Sequence, residues 1–292
     1  MELAELIKSG WEEHEHETEK VARDLEAGIE LVLPDDPSGA AAFMNLIGHT
    51  IGDHGGDRPR ALRLCESVVE RLADLGNREP ILHLAVARHL AGEEEAARAA
   101  ERELGADAVS QVRVRLLVAQ GLVHGEAWGK AIELYTECIA VADSLPTGHG
   151  AERAAALVSN NISSALLHIE ERDDDQSQLM ERAAHTAHTY WLRVGDWTNS
   201  ERADYLLAMV YNSLERGAEA REFARRGLQT IATNGEAKVD QAFLELALAK
   251  ACKLRGDFDE QSLSILRATA LADEFGDEGL SNWFNDELKK AR

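Results

Sequence analysis

The stretch Phe243-Leu-Glu-Leu-Ala-Leu-Ala-Lys-Ala-Cys-Lys-Leu-Arg-Gly256-Asp-Phe258 decides the architecture. Its apolar residues recur at spacings of three and four, the period of an amphipathic α-helix, and the pattern stops at Gly256-Asp257. It restarts at once: Leu263, Leu266, Ala270 and Leu271 carry the helical period on to Phe275-Gly276-Asp277. Two amphipathic helices joined by a tight turn form an αα-hairpin. Such a pair cannot cover its own apolar face, so it requires neighbours of the same kind.

The neighbours are present upstream. Ala208, Tyr211, Glu215, Gly217, Ala220 and Ala224 repeat the spacing of Ala249, Cys252, Gly256, Phe258, Gln261 and Ile265. Ala119, Leu122, Glu126, Trp128, Ala131, Tyr135 and Cys138 repeat it again, and Ala85, Arg88, Gly92, Glu94 and Ala97 do so more loosely. Gly48, Ile51, Gly55 and Ala61 form a copy with one extra residue in the turn. The weakest copy centres on Ser164, Leu167 and Glu171. A small residue, a large one, Gly at the turn, an aromatic and then Ala resembles the tetratricopeptide repeat, in its longer-helix variety. The small residues 48, 85, 119, 164, 208 and 249 are separated by steps of 37, 34, 45, 44 and 41, so the copies are degenerate and elongated.

The resemblance covers residues 38–276 and implies an all-α fold. It is a right-handed superhelical stack, an α-solenoid of about six helix pairs. Residues 1–37 are expected to form an acidic N-terminal helix, at about 2–32, and residues 277–292 a capping helix. Pairs are expected near 38–54/58–76, 78–91/93–103, 107–124/126–144, 150–170/174–194, 198–216/218–234 and 235–255/257–275, with Ser38 as an N-cap. The turn Pro146-Thr-Gly-His-Gly150 is the expected mid-point joint. Ala119, Ala131, Ala208, Ala220 and Ala249 are expected to allow close helix approach, and Trp128 and Phe258 to be buried as wedges between neighbouring pairs.

Composition narrows the function. Acidic residues outnumber basic ones by 53 to 31, a net charge of −22, and no long basic run offers the cationic footprint that nucleic acid requires. An anionic membrane surface is disfavoured on the same ground, and no run of about 18 apolar residues suggests a span. Residues 1–37 carry twelve Asp and Glu against Lys8, Lys20 and Arg23, the reverse of a basic targeting segment. Cys65, Cys138 and Cys252 are far apart and odd in number, which reads as buried thiols in a cytoplasmic protein.

The histidines are the residues that invite an enzymatic reading. His49 and Asp53 lie four apart on a helix face, with His54 and Asp57 in the following turn, and His14 and His16 are in a helix that could contribute. The segment lacks a second HExxH-like half, so no metal or other cofactor is expected. His14-Glu-His16 reads as solvated surface, and His185 and His188, near Tyr190, Trp191 and Trp197, as packing between repeats. No nucleophile elbow, phosphate loop or dinucleotide fingerprint occurs, and an enzyme is not expected.

The expected function is a non-enzymatic scaffold that binds another protein or peptide. A regulatory peptide or ligand sensor acting through a separate output partner is one alternative, and a metal-dependent enzyme another. The resemblance places the binding surface on the first helix of each pair. The register then gives Asn45 and His49, followed by His89, Arg113, Gln120, Asn161, His168, Tyr205, Asn212, Lys250 and Lys253. Asparagine can satisfy donor and acceptor of an extended backbone, and lysine or arginine can hold a carboxylate, so an acidic or C-terminal segment is the expected ligand. Self-association is left open.

Overall fold

A computed structural model describes residues 2–73, 78–105 and 107–292. Of these, 81% are helical and none is in a strand. The chain divides into two compact units, 1–151 and 152–292, directly after the Pro146–Gly150 turn.

The first unit contains α1 (Leu3–Glu13), α2 (Thr18–Gly28) and a 3-10 turn (Ile29–Leu31). The next helix, α3 (Pro37–Ile47), runs directly into a π-helical turn, Gly48–His54. After it come α4 (Arg58–Arg71), α5 (Glu79–Leu90), α6 (Glu94–Leu104), α7 (Ala108–His124) and α8 (Trp128–Ser144). The expected single N-terminal helix is therefore two. The break at residues 14–17 lets Leu6 from α1 and Val21 and Leu25 from α2 reach one core with Phe43, Met44, Leu46 and Ile47, which one straight helix could not do. Asp36, not Ser38, caps α3, accepting from the Gly39 amide at 2.9 Å. Pro37 has no amide hydrogen and fits the first helical position, which sets the cap at Asp36, two residues before the expected one. The end of the helix expected at 58–76 falls partly outside the described residues, and α4 itself stops at Arg71.

The second unit holds α9 (Glu152–Leu167), α10 (Asp174–Val194), α11 (Trp197–Ser213), α12 (Gly217–Asn234), α13 (Lys238–Arg255), α14 (Phe258–Ala272) and α15 (Glu278–Ala291). Within each unit, successive helices pack as antiparallel pairs, and first helices lie beside first helices: α3 on α5, α5 on α7, and α11 on α13. This is a tetratricopeptide-like helical repeat.

Four pairs turn in one way. Gly92, Glu126, Glu215 and Gly256 all adopt left-handed backbone, with φ of 83°, 56°, 58° and 74°. The next residue in each case sends its amide back to the carbonyl five positions earlier: Glu93 to Arg88, Ala127 to Leu122, Arg216 to Tyr211 and Asp257 to Cys252, at 2.8–2.9 Å. These bonds satisfy carbonyls that the helix end would otherwise leave open. The α9–α10 turn lacks this closure and uses Arg172 instead, whose guanidinium donates to the Leu166 and Ile169 carbonyls at 2.9 and 2.6 Å.

Ala119, Ala131, Ala208, Ala220 and Ala249 are fully buried, as close packing of the helices requires. The aromatic wedges behave differently. Trp128 is half-buried and Phe258 is 64% exposed. The reason lies in the following element. Gly217 holds the place of Phe258 in the preceding pair, and a Cβ there would meet Ala251 and Leu254 of α13. The following helix, α15, packs chiefly on α13, and among the described residues Phe258 stays uncovered. The three cysteines are buried and unpaired with one another, and burial pushes the Cys65 thiol up to about 12. No described helix is long and apolar enough to cross a membrane.

Candidate functional site: histidines gathered on a π-helical turn

Five side chains that could bind a metal converge in the first unit: His14, His49, Asp53, His54 and His124. The backbone at Gly48–His54 is what brings three of them together. At 3.6 residues per turn, positions five apart on an α-helix are separated by about 140°. The i→i+5 bonding of a π turn is wider and brings such positions nearly into line. The Gly55 amide closes this turn on the Thr50 carbonyl at 2.9 Å. His49 and His54 consequently point the same way, with their Nε2 atoms 3.2 Å apart.

His14 arrives from α1. Gly10 lets that helix approach α3 closely, since a Cβ there would lie 2.6 Å from the Leu46 side chain. His14 is buried, so its reading as solvated surface is corrected, whereas His16 is exposed. The His14 Nδ1 faces the Trp11 carbonyl at 2.9 Å, and its Nε2 stands 3.2 Å from His49 Nε2. A carbonyl only accepts, so the His14 proton sits on Nδ1 and its Nε2 presents a lone pair. Trp11 covers both rings, with centroids 5.3 Å from His14 and 5.1 Å from His49.

On the other side of His49 lies Asp53, with Oδ2 3.7 Å from His49 Nδ1. Its side chain is only 9% exposed, and Oδ1 has no hydrogen-bond partner among the described residues. His124 closes that side from the last turn of α7. Near it, Arg58 donates to the Gly121 carbonyl at 2.7 Å. Partial loss of water contact lowers the His54 pKa first, although the residue is exposed, and the neighbouring His49, His14 and His124 lower it further. Burial likewise lowers that of His124, against the opposing charge of Asp53. Both rings are thus favoured neutral, the state in which imidazole ligates.

Sequence reading found His49, Asp53 and His54 and named His14 as a contributor, but it missed His124. The ligand set that was incomplete along the chain is supplied from α1 and α7. The only local signal for His124 is its place in the last turn of a first helix, the place that His49 also occupies.

The expected groove residues are dispersed over both units. Several are tied up within the chain. Arg113 forms a two-pronged pair with Glu79, at 2.8 and 2.6 Å, and Lys250 bonds Glu287 at 2.6 Å. Asn212 donates to the Ala247 carbonyl at 2.9 Å, and His89 lies 3.2 Å from Glu101. Tyr205 packs edge-on against Phe243, and Gln120 and Asn161 also interact within the chain. Asn45, His168 and Lys253 are exposed, and His49 belongs to the histidine group. His185 and His188 serve packing: His185 bonds the Tyr211 hydroxyl at 2.6 Å, and His188 sits 3.1 Å from Asp204.

No protein-family model matches the sequence, and no curated protein matches it. Among solved structures, the apo form of RapI has a TM-score of 0.51 at 9% identity, over 99% of this chain and 85% of that one. BtubC from P. vanneervenii gives 0.49 at 16% identity, over 87% and 94%. A tetratricopeptide repeat protein from Parabacteroides merdae gives 0.35 at 16% identity, over 99% and 98%. The likeness to RapI shows a shared helical-repeat fold and nothing finer.

Proposed function

We propose that this chain is a non-enzymatic scaffold that binds another protein, through the first-helix faces of its repeats and the open end of its last helix pair. The observation that carries the reading is the set of exposed large apolar side chains at the end of α13 and along α14. Leu254, Phe258, Leu263 and Leu266 are all more than 40% exposed, Leu266 reaching 67%. An apolar surface of this kind on a chain otherwise rich in charge marks a protein contact. Beside it on α13 are Lys253 and Arg255, both exposed, so cations flank the apolar residues. That combination suits a partner segment with an apolar anchor and a carboxylate, which agrees with the expected acidic or C-terminal peptide. Asn45, His49, His89, Arg113, Gln120, Asn161, His168, Tyr205, Asn212 and Lys250 remain the proposed contacts along the other first helices.

The test is affinity capture from native lysate with the intact chain and with two variants, Phe258→Asp/Leu266→Asp and Lys253→Glu. These positions are exposed, so folding should be unchanged by circular dichroism. Loss of one specific co-purifying protein in the apolar variant, and its weakening in Lys253→Glu, is the expected result. Retention of every captured protein in both variants would remove the α13–α14 end as a binding surface.

A further inference from the structure

Three histidine ring nitrogens converge where α1 meets the end of α3. His14 Nε2 and His54 Nε2 each lie 3.2 Å from His49 Nε2, and all three nitrogens fall within 4.8 Å of one another. The Trp11 carbonyl behind His14 holds that ring's proton on Nδ1, and the Asp53 carboxylate stands behind His49, 3.7 Å from its Nδ1, as a negative charge beyond hydrogen-bond reach. The His14 Nε2 lone pair therefore faces His49 Nε2, and His54 Nε2 converges on the same atom. A cation at this point of convergence would be reached by all three nitrogens. Imidazole nitrogens at 2.0–2.1 Å around a tetrahedral ion are separated by about 3.3 Å, close to the spacing seen here. Asp53 adds an independent indication: a carboxylate nine-tenths buried, with one oxygen unpartnered, is costly unless positive charge is nearby.

We propose that His14, His49 and His54 bind one divalent transition ion of the zinc class through their Nε2 atoms, with Asp53 supplying negative charge behind His49 and a fourth coordination position left open. Neutral imidazole ligands select zinc, cobalt, nickel or copper over magnesium and calcium, which prefer oxygen. Three histidines are the protein ligand set of a zinc site that keeps one position for water or another donor. His54 is exposed, so that position is reachable from solvent, and His124 stands beside it, with ring centroids 5.7 Å from His49 and 6.3 Å from His54. The ion would join α1 to the end of α3, two elements distant in sequence. This inference does not depend on the protein-binding reading.

The experiment uses the full chain without an affinity tag, stripped with chelator and then titrated with zinc in competition with a chromophoric chelator. Cobalt serves as the spectroscopic probe. One equivalent of tight binding is expected, with the visible absorption of four-coordinate cobalt. Binding should weaken at least about 100-fold in His49→Ala and His54→Ala, and about 10- to 100-fold in Asp53→Asn. His16→Ala, two residues from His14 and exposed, should bind as the parent does. His54 is exposed, so His54→Ala should fold even if changes at buried His14 do not. No tight equivalent, octahedral cobalt only, or zinc affinity undiminished in His54→Ala and His49→Ala would each overturn the site.

Discussion

Glu201 shows how one side chain can carry an unusual load. It is fully buried in α11, and neither carboxylate oxygen is hydrogen-bonded among the described residues. Burial, reinforced by the negative charge of Asp240, holds its pKa well above the ordinary carboxylate range of about 4.5. Because the folded pKa exceeds the unfolded one, the folded state binds the proton more tightly. The contribution to stability is then fully present below the unfolded pKa and is lost as pH rises through the folded one. Glu201→Gln removes the titration while keeping size and shape. The variant should match the parent near pH 4 and exceed it by about 1–3 kcal/mol at pH 8, because the unfolded carboxyl ionises freely there while the buried one resists ionisation. Urea unfolding at the two pH values checks this. Equal stability differences at both would mean that Glu201 does not titrate in this way.

At the scale of the element, two local geometries make separate predictions. The left-handed turn residue is glycine at Gly92 and Gly256 but glutamate at Glu126 and Glu215. A Cβ is strained in that region, and glycine is not. Glu215→Gly should raise stability by about 0.5–1 kcal/mol, and Gly256→Ala should lower it, both read from denaturant midpoints. A loss on Glu215→Gly would show that the Glu215 side chain gives more than its backbone strain costs. The π turn is tested by shortening it. Deleting Gly48 should restore α-helical spacing, turn His49 away from His54 by roughly 140°, and abolish zinc binding while helical content stays the same. Retained zinc affinity in that deletion would show that the wider turn is not what assembles the ligands.

For the whole molecule, the division after Ala151 falls beside an exposed turn in which Gly148 is left-handed, with φ of 90°. Exposed turns of small and polar residues are where proteases cut first. Limited proteolysis should therefore cleave between Ser144 and Gly150 before any helix pair is opened. Two fragments of similar mass should appear, and mass spectrometry locates the cut. First cleavage within a pair such as α11–α12 would contradict two compact units. What the sequence by itself determined is the all-helical repeat: helix periodicity, the Gly-Asp stop at 256–257 and the recurring turn position are local properties, and neighbours only reinforce them. The histidine group was legible in part, because His49, Asp53 and His54 lie within one turn. Three things were decided by tertiary structure alone. The π geometry of Gly48–His54 sets which of those side chains align, and propensity does not separate it from an α turn. The approach of α1 and the end of α7 brings in His14 and His124 from 35 and 75 residues away from His49. The exposure of Phe258 depends on where α15 lands. Each of these depends on which surfaces meet across long stretches of chain, and spacing along one helix carries no information about that.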